Sequence, residues 1–253
     1  MSNLTRTTQA AAMVLAPLLA LASAIAAPAL KSGAAAKLAE IAHHPDRWYL
    51  YALFITVSGW LFVPAVLGLS RLVAERAPRL SAVGGGLALL GVLVAIGDAT
   101  TELVYWQMGA PGADRTQMAA LADRYENAAG SSLIFTIGGL ALIVGLVLLA
   151  TALWRTGVAP AWAAAGIPVG AVINIAGFSA SSNALVIASN IVLLAALGRI
   201  GRLALVGPAG EPASTAARSY AERSSAVSVR TPAPGARDTS ATSATPGSPS
   251  TSS

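Results

Sequence analysis

The chain has 253 residues, 55% of them hydrophobic and only 11% charged, with a formal net charge of +5. Soluble domains carry about 25% charged residues, so the deficit excludes an ordinary soluble protein and points to a multi-pass membrane protein. Cysteine is absent, which excludes disulfides, thiolate catalysis, iron–sulfur clusters and thiolate zinc sites.

In chain order, six apolar runs stand out, at about 9–30, 48–69, 82–103, 131–154, 160–177 and 183–203. Each is near the ~20 residues a helix needs to cross about 30 Å of hydrocarbon. None alternates at period two, so the spacing predicts an all-α fold: a six-helix transmembrane bundle over residues 1–206. The first run has two readings. It serves as a retained helix, or, with Arg6 before an Ala/Leu core and the small residues Ala22, Ser23 and Ala24, as a secretory signal.

Between the first two runs, residues 34–41 predict a short amphipathic helix with Ser32 as its N-cap, and Pro45 fits the first turn of the next span. Gly109, Pro111, Gly112 and Gly130 bracket a polar stretch, 116–127, expected to form a short helix over the bundle mouth. The break at 178–182 predicts a tight hairpin. Residues 207–253 are rich in Ser, Thr, Pro, Ala and Gly without apolar periodicity, the composition of a disordered cytoplasmic tail.

Arginine and lysine set the orientation. With the N-terminus inside, the inner flanks hold Arg6, Arg71, Arg76, Arg79, Arg155, Arg199 and Arg202, against Lys31, Lys37, Arg47, Arg115 and Arg124 outside. That bias places both termini in the cytoplasm. The basic residues are dispersed at helix flanks, a pattern for anionic lipid and not for nucleic acid.

Asp98 and Glu102 are the two acids inside the third run. Four residues is about one helical turn, so both carboxylates project from one face. A charge in hydrocarbon costs at least ~2.5 kcal/mol, so such acids turn inward, find a partner or sit by water. By ~1.5 Å rise per residue, Asp98, Thr136, Asn174 and Asn190 all lie about 7–10 Å below the outer surface. They are expected to form an outer-leaflet polar layer, either a proton or ligand site or interhelical hydrogen-bonding glue. Glu102 lies nearer the interface and is expected to be solvated. Arg47 is the nearest cation expected, at the outer rim. His43, His44 and Asp46 are weak metal candidates. Adjacent histidines on a helix point about 100° apart, and no third ligand has a recognisable spacing. No cofactor is implied, since no histidine lies within a run to hold haem.

Gly166 and Gly170 form a small-xxx-small pair, and other glycines line the remaining runs; close packing within the bundle is the expectation, with a homodimer face as the alternative. Trp48, Tyr49, Tyr51, Tyr105 and Trp106 at the outer ends, and Trp154 and Trp162 at the inner ends, read as aromatic belts. No nucleophile elbow, HExxH, Walker A loop or dinucleotide fingerprint occurs.

His44-Pro45, the stretch 60–69 (Trp-Leu-Phe-Val-Pro-Ala-Val-Leu-Gly-Leu), Ala77-Pro78-Arg79-Leu80 and the stretch 84–91 (Gly-Gly-Gly-Leu-Ala-Leu-Leu-Gly) together resemble uncharacterised actinobacterial integral membrane proteins of about six helices. The resemblance covers about a third of the chain. It implies a bacterial plasma-membrane protein and brings no activity with it. Three function classes stand at this point. The first is a non-enzymatic membrane module whose partners are the lipid bilayer and another membrane protein or a second copy. The others are a small proton- or ion-coupled carrier built on the Asp98 layer, and an intramembrane enzyme.

Overall fold

The structure is a computed structural model and describes residues 3–206. The predicted 207–253 tail lies outside the described residues. Six long helices are apolar enough to cross a membrane, and two short ones cover one end of the bundle. The chain is an all-α multi-pass membrane protein.

In chain order the helices are α1 (Asn3–Ala26), α2 (Ala34–His43), α3 (Pro45–Ala74), α4 (Pro78–Met108), α5 (Arg115–Glu126), α6 (Ala129–Arg155), α7 (Ala161–Ser179) and α8 (Asn183–Val206). Inside hydrocarbon every backbone N–H and C=O must be paired within its own segment, so apolar runs of this length become helices. Most boundaries follow local chemistry. α1 ends at Ala26, short of the expected Leu30, because Pro28 cannot continue the helix. α2 is present, but its N-cap is Gly33 at φ +88°, with no side-chain cap bond. Ser32 is therefore not the cap: the turn needs a left-handed residue, which only glycine adopts without cost. Pro45 takes the first turn of α3, and Asp114 caps α5 by accepting from the N–H groups of Thr116 and Gln117 at 3.0 and 3.1 Å.

The long helices pack as a closed ring in the order α1, α3, α4, α6, α7, α8 and back to α1. Opposite members of the ring have almost no contact, so space is left at the centre. The α1–α2 and α4–α5 connections both lie at one end, called here the capped end; the α3–α4 and α6–α7 turns and both ends of the described chain lie at the bare end. α2 and α5 pack on each other and onto α3, α4 and α6.

Glycines set the interhelical spacing. A Cβ added at Gly91 would lie 2.6 Å from Leu142 Cα, and one at Gly145 would lie 2.8 Å from Ala88 Cα and from Gly84 O. Across α7 and α8, one at Gly170 would lie 2.7 Å from Leu193 Cγ. The two α4–α6 approaches are backbone to backbone, of the small-residue kind, and the α7–α8 one is of backbone to a leucine side chain. They lie within one chain, as the glycine spacing predicts.

Candidate functional site

The capped end holds a small polar cluster under apolar cover. Lys37 of α2 reaches back onto α4 and pairs with Glu102 at 3.0 Å, with only 18% and 13% of the two side chains exposed. The Lys37 Nζ also lies 3.8 Å from the Tyr105 ring centroid and 5.8 Å from that of Trp48, within cation–π range. Tyr105 donates to Glu126 Oε1 at 2.8 Å. Leu38, Ile41, Trp48, Tyr51 and Ala122 close over this group as a second, smaller core. Trp48 Nε1 and Glu102 Oε2 are buried without a hydrogen-bond partner among the described residues.

Two expectations are corrected here. Glu102 is not simply solvated: α2 folds over it and supplies a cation. The nearest cation is also not Arg47, whose guanidinium instead donates to the carbonyls of Ala26 and Ala27, both at 3.2 Å, satisfying the end of α1. Trp48, Tyr51 and Tyr105 do not form a lipid-facing belt. They are buried beneath α2, while Tyr49 stacks on Trp106 at 4.9 Å and stays exposed. At the bare end Trp154 and Trp162 are exposed, at the positions an interfacial belt occupies.

The expected polar layer is divided. Asp98 is exposed on the outside of the ring, within electrostatic reach of Lys37, Glu126 and Tyr125. Burial of the Tyr125 phenol, and then the Asp98 carboxylate, raise Tyr125 above the ordinary phenol range. Thr136 is exposed on α6. Asn174 and Asn190 face the other way, into the ring. Asn174 donates to Ser189 Oγ at 2.9 Å, and Asn190 to Val186 O at 2.9 Å. Depth along a helix is a matter of residue count, but facing depends on rotation by 100° per residue, and that rotation separates these four side chains. His43, His44 and Asp46 are exposed at the α2–α3 junction. His44 lies 3.8 Å from Glu40 and serves as both the end of α2 and the start of α3.

The central space is a cavity of about 200 Å³. Every long helix contributes to its wall. The bare-end half is hydrocarbon throughout, with Phe62, Val66, Leu69, Leu146, Leu193 and Leu197. The polar wall groups lie toward the capped end: Ser23, Tyr51, Ser58, Asn174, Asn183 and Asn190. Two of them are spent on the fold. Ser58 donates to Ala16 O at 2.8 Å, and Asn183 grips the α1–α2 linker through Pro28 O at 3.0 Å and Leu30 N at 3.1 Å. Asn174 and Asn190 keep their Oδ1 atoms without a donor among the described residues. They sit about 7–10 Å below the capped end by helical rise. No acid, base or histidine lines the cavity.

The cavity and Lys37 are the features that sequence spacing did not reveal. Lys37 carried a signal, since it lies on an amphipathic helix that must lie across the span holding Glu102. The cavity carried a partial one, the shared depth of Asn174 and Asn190, but its apolar half carried none, because the runs are apolar on nearly every face.

Comparison of the chain with protein-family models, with curated proteins and with solved structures gave no match.

Proposed function

We propose that this multi-pass membrane protein is a non-enzymatic module that takes a small amphiphilic guest into its central cavity. The observation that carries the reading is the division of that cavity into an apolar half and an amide-bearing half. An apolar cavity of about 150 Å³ is enough to admit benzene, so 200 Å³ accommodates a hydrocarbon stretch of about eight carbons by the same scale. An unfilled space of this size costs stability, since its lining loses dispersion contacts. Any hydrocarbon would fill the bare-end half. The Asn174 and Asn190 amides supply orientation, as sparse polar groups do in small-molecule sites.

Of the wall hydroxyls, Ser58 is held by the Ala16 carbonyl. The proton- or ion-carrier alternative rested on Asp98 meeting the asparagines, and Asp98 faces away from them. The membrane is the bacterial plasma membrane, with the capped end outside and both termini in the cytoplasm, in keeping with the arginine bias. A retained α1 is in keeping with this reading, since Ser23 and Ala24, within its signal-like motif, line the cavity wall. Alkaline phosphatase fused after Ala110 is then active, and fused after Gly207 inactive; the opposite pattern would invert the orientation.

The guest is tested with 1-octanol, an eight-carbon chain ending in a hydroxyl. Thermal unfolding in nanodiscs should move upward with octanol, by about 2.7 kcal/mol at a hundredfold excess over Kd. Ala171→Trp, which fills the wall at a buried position, should abolish that shift. An equal response in both proteins would mean octanol acts on the bilayer, and the reading would fail.

A further inference from the structure

We infer that the natural guest is the hydrocarbon chain of a hydroxyl-bearing membrane lipid, and that it enters sideways from the bilayer between α6 and α7. This rests on the cavity reading above and adds a ligand class and a route.

Five of the six junctions of the ring are fastened by a glycine whose absent Cβ lets the neighbouring helix close in. Gly68 of α3 meets Gln9 and Met13 of α1, and Gly59 of α3 meets Ile96 of α4. Gly84, Gly91, Gly138 and Gly145 bind α4 to α6. Gly166, Gly170 and Gly177 bind α7 to α8, and Gly201 of α8 meets Ala10 of α1. No described glycine makes such an approach between α6 and α7, and this junction is the sparsest of the ring.

The junction is closed only on its bare-end half. There Leu146, Leu149 and Leu153 of α6 share one core with Ala163, Ala164 and Ile167 of α7. Toward the capped end this core stops: it holds no described residue of α6 before Leu142 and none of α7 after Ala171. Beyond it, Ile175 and Phe178 of α7 are each 41% exposed. Ile175 and Phe178 also line the cavity. Wall residues that are also exposed place an opening here, within about 6 Å of the capped end of α7 by helical rise.

Over α3 and α4 the capped end is covered. Asn183 and Arg47 hold the α1–α2 linker down, and Leu38, Ile41, Trp48 and Tyr51 pack beneath α2. A solute coming from water over α3 and α4 would have to part that core, whereas the α6–α7 junction borders the bilayer along its length. Hydrocarbon gains little by leaving one apolar medium for another, so selectivity must come from the polar end. The Oδ1 atoms of Asn174 and Asn190, without a donor among the described residues, match an O–H group.

The test uses a long-chain fatty alcohol bearing a diazirine in its chain, incorporated into phosphatidylcholine proteoliposomes of the full-length protein. After illumination, adducts are mapped by mass spectrometry. The expected result is labelling of buried wall residues Leu146, Ile167 and Leu193 in addition to the exposed Leu133 and Ile137. Ile175→Trp/Phe178→Trp should reduce wall labelling about tenfold with surface labelling unchanged. Ile175→Phe serves as a milder plug if the double variant does not fold, as judged by gel filtration and circular dichroism. Undiminished wall labelling in a folded plugged variant would overturn the lateral route. A second arm adds diazirine-hexanol to the protein in detergent. Wall labelling by hexanol but not by the bilayer-borne alcohol would overturn the lipid-chain inference and leave the cavity reading standing. Labelling by neither would overturn both.

Discussion

Lys37 tests the physical account of the capped end most directly. At 3.0 Å from Glu102, its gross Coulomb attraction is about 5 kcal/mol at an effective dielectric near 20. Desolvation of two mostly buried ions offsets much of this, so the pair adds little net stability over an apolar replacement. Breaking the pair on one side is different. Lys37→Met keeps the apolar stem and leaves Glu102 under α2 without its cation, a loss of about 3–5 kcal/mol for a buried pair. The cation–π contact with Tyr105 adds about 0.5–2 kcal/mol to that loss. Glu102→Gln should cost less, because Lys37 sits on a surface helix and its flexible stem can carry the ammonium back to water. Lys37→Met/Glu102→Gln should recover most of the single loss. Detergent-titrated unfolding of all four proteins gives the coupling energy as a double-mutant cycle, and hydrogen exchange on the α2 amides reports whether the cap has loosened. Lys37→Met within about 0.5 kcal/mol of wild type, the range of an ordinary surface change, would refute the reasoning.

Four further predictions follow, three from packing and one from charge. Gly145→Ala should destabilise by about 1–3 kcal/mol in the same unfolding assay, because its Cβ would meet the backbone of Ala88 and Gly84. Gly139→Ala, which faces open space, should instead gain about 0.5–1 kcal/mol as a helix substitution. Asn183→Ala removes both bonds to the linker and should cost about 1–3 kcal/mol and expose residues 27–33 to limited proteolysis; an unchanged cleavage rate would count against the clamp. Asp98→Asn should lower the titration midpoint of Tyr125, since a carboxylate opposes phenolate formation, without bringing it to the ordinary value, since burial is the larger cause. Carbon-13 tyrosine resonances followed against pH would show it, and an unmoved midpoint would separate the two groups.

Length and hydropathy made the six spans legible, because hydrocarbon admits few other ways of satisfying a backbone. The turns were legible where a residue forces them, as Pro45 and Asp114 do. Facing was not. The spans are apolar on nearly all sides, so no polar stripe records which side meets the interior. Asp98 and Glu102 show the difficulty: at i and i+4 they differ by about 40° around α4, yet one is exposed and the other lies beneath α2. That distinction comes from where a separate helix settles. Asn174 and Asn190 could be placed together in depth and do share a wall. Thr136, at the same depth, points outward from α6. The cavity itself is a property of how six helices close, and no single segment encodes it.

The first and last helices are neighbours: Arg6 of α1 donates to the Ala204 carbonyl of α8, and Gly201 lets α8 settle against Ala10. This closure joins segments almost the whole chain apart. A ribosome delivering helices in order must therefore hold α1 with one flank unsatisfied until α8 arrives, so the ring completes only after α8 is inserted. Long-range closure of this kind is late and slow relative to the local hairpins. It also brings the two ends of the described chain together on one side of the membrane, the arrangement that tolerates rewiring. Joining those ends and reopening the chain at the α6–α7 turn would make α7 the first helix and α6 the last, with the same six neighbours and a different order of birth.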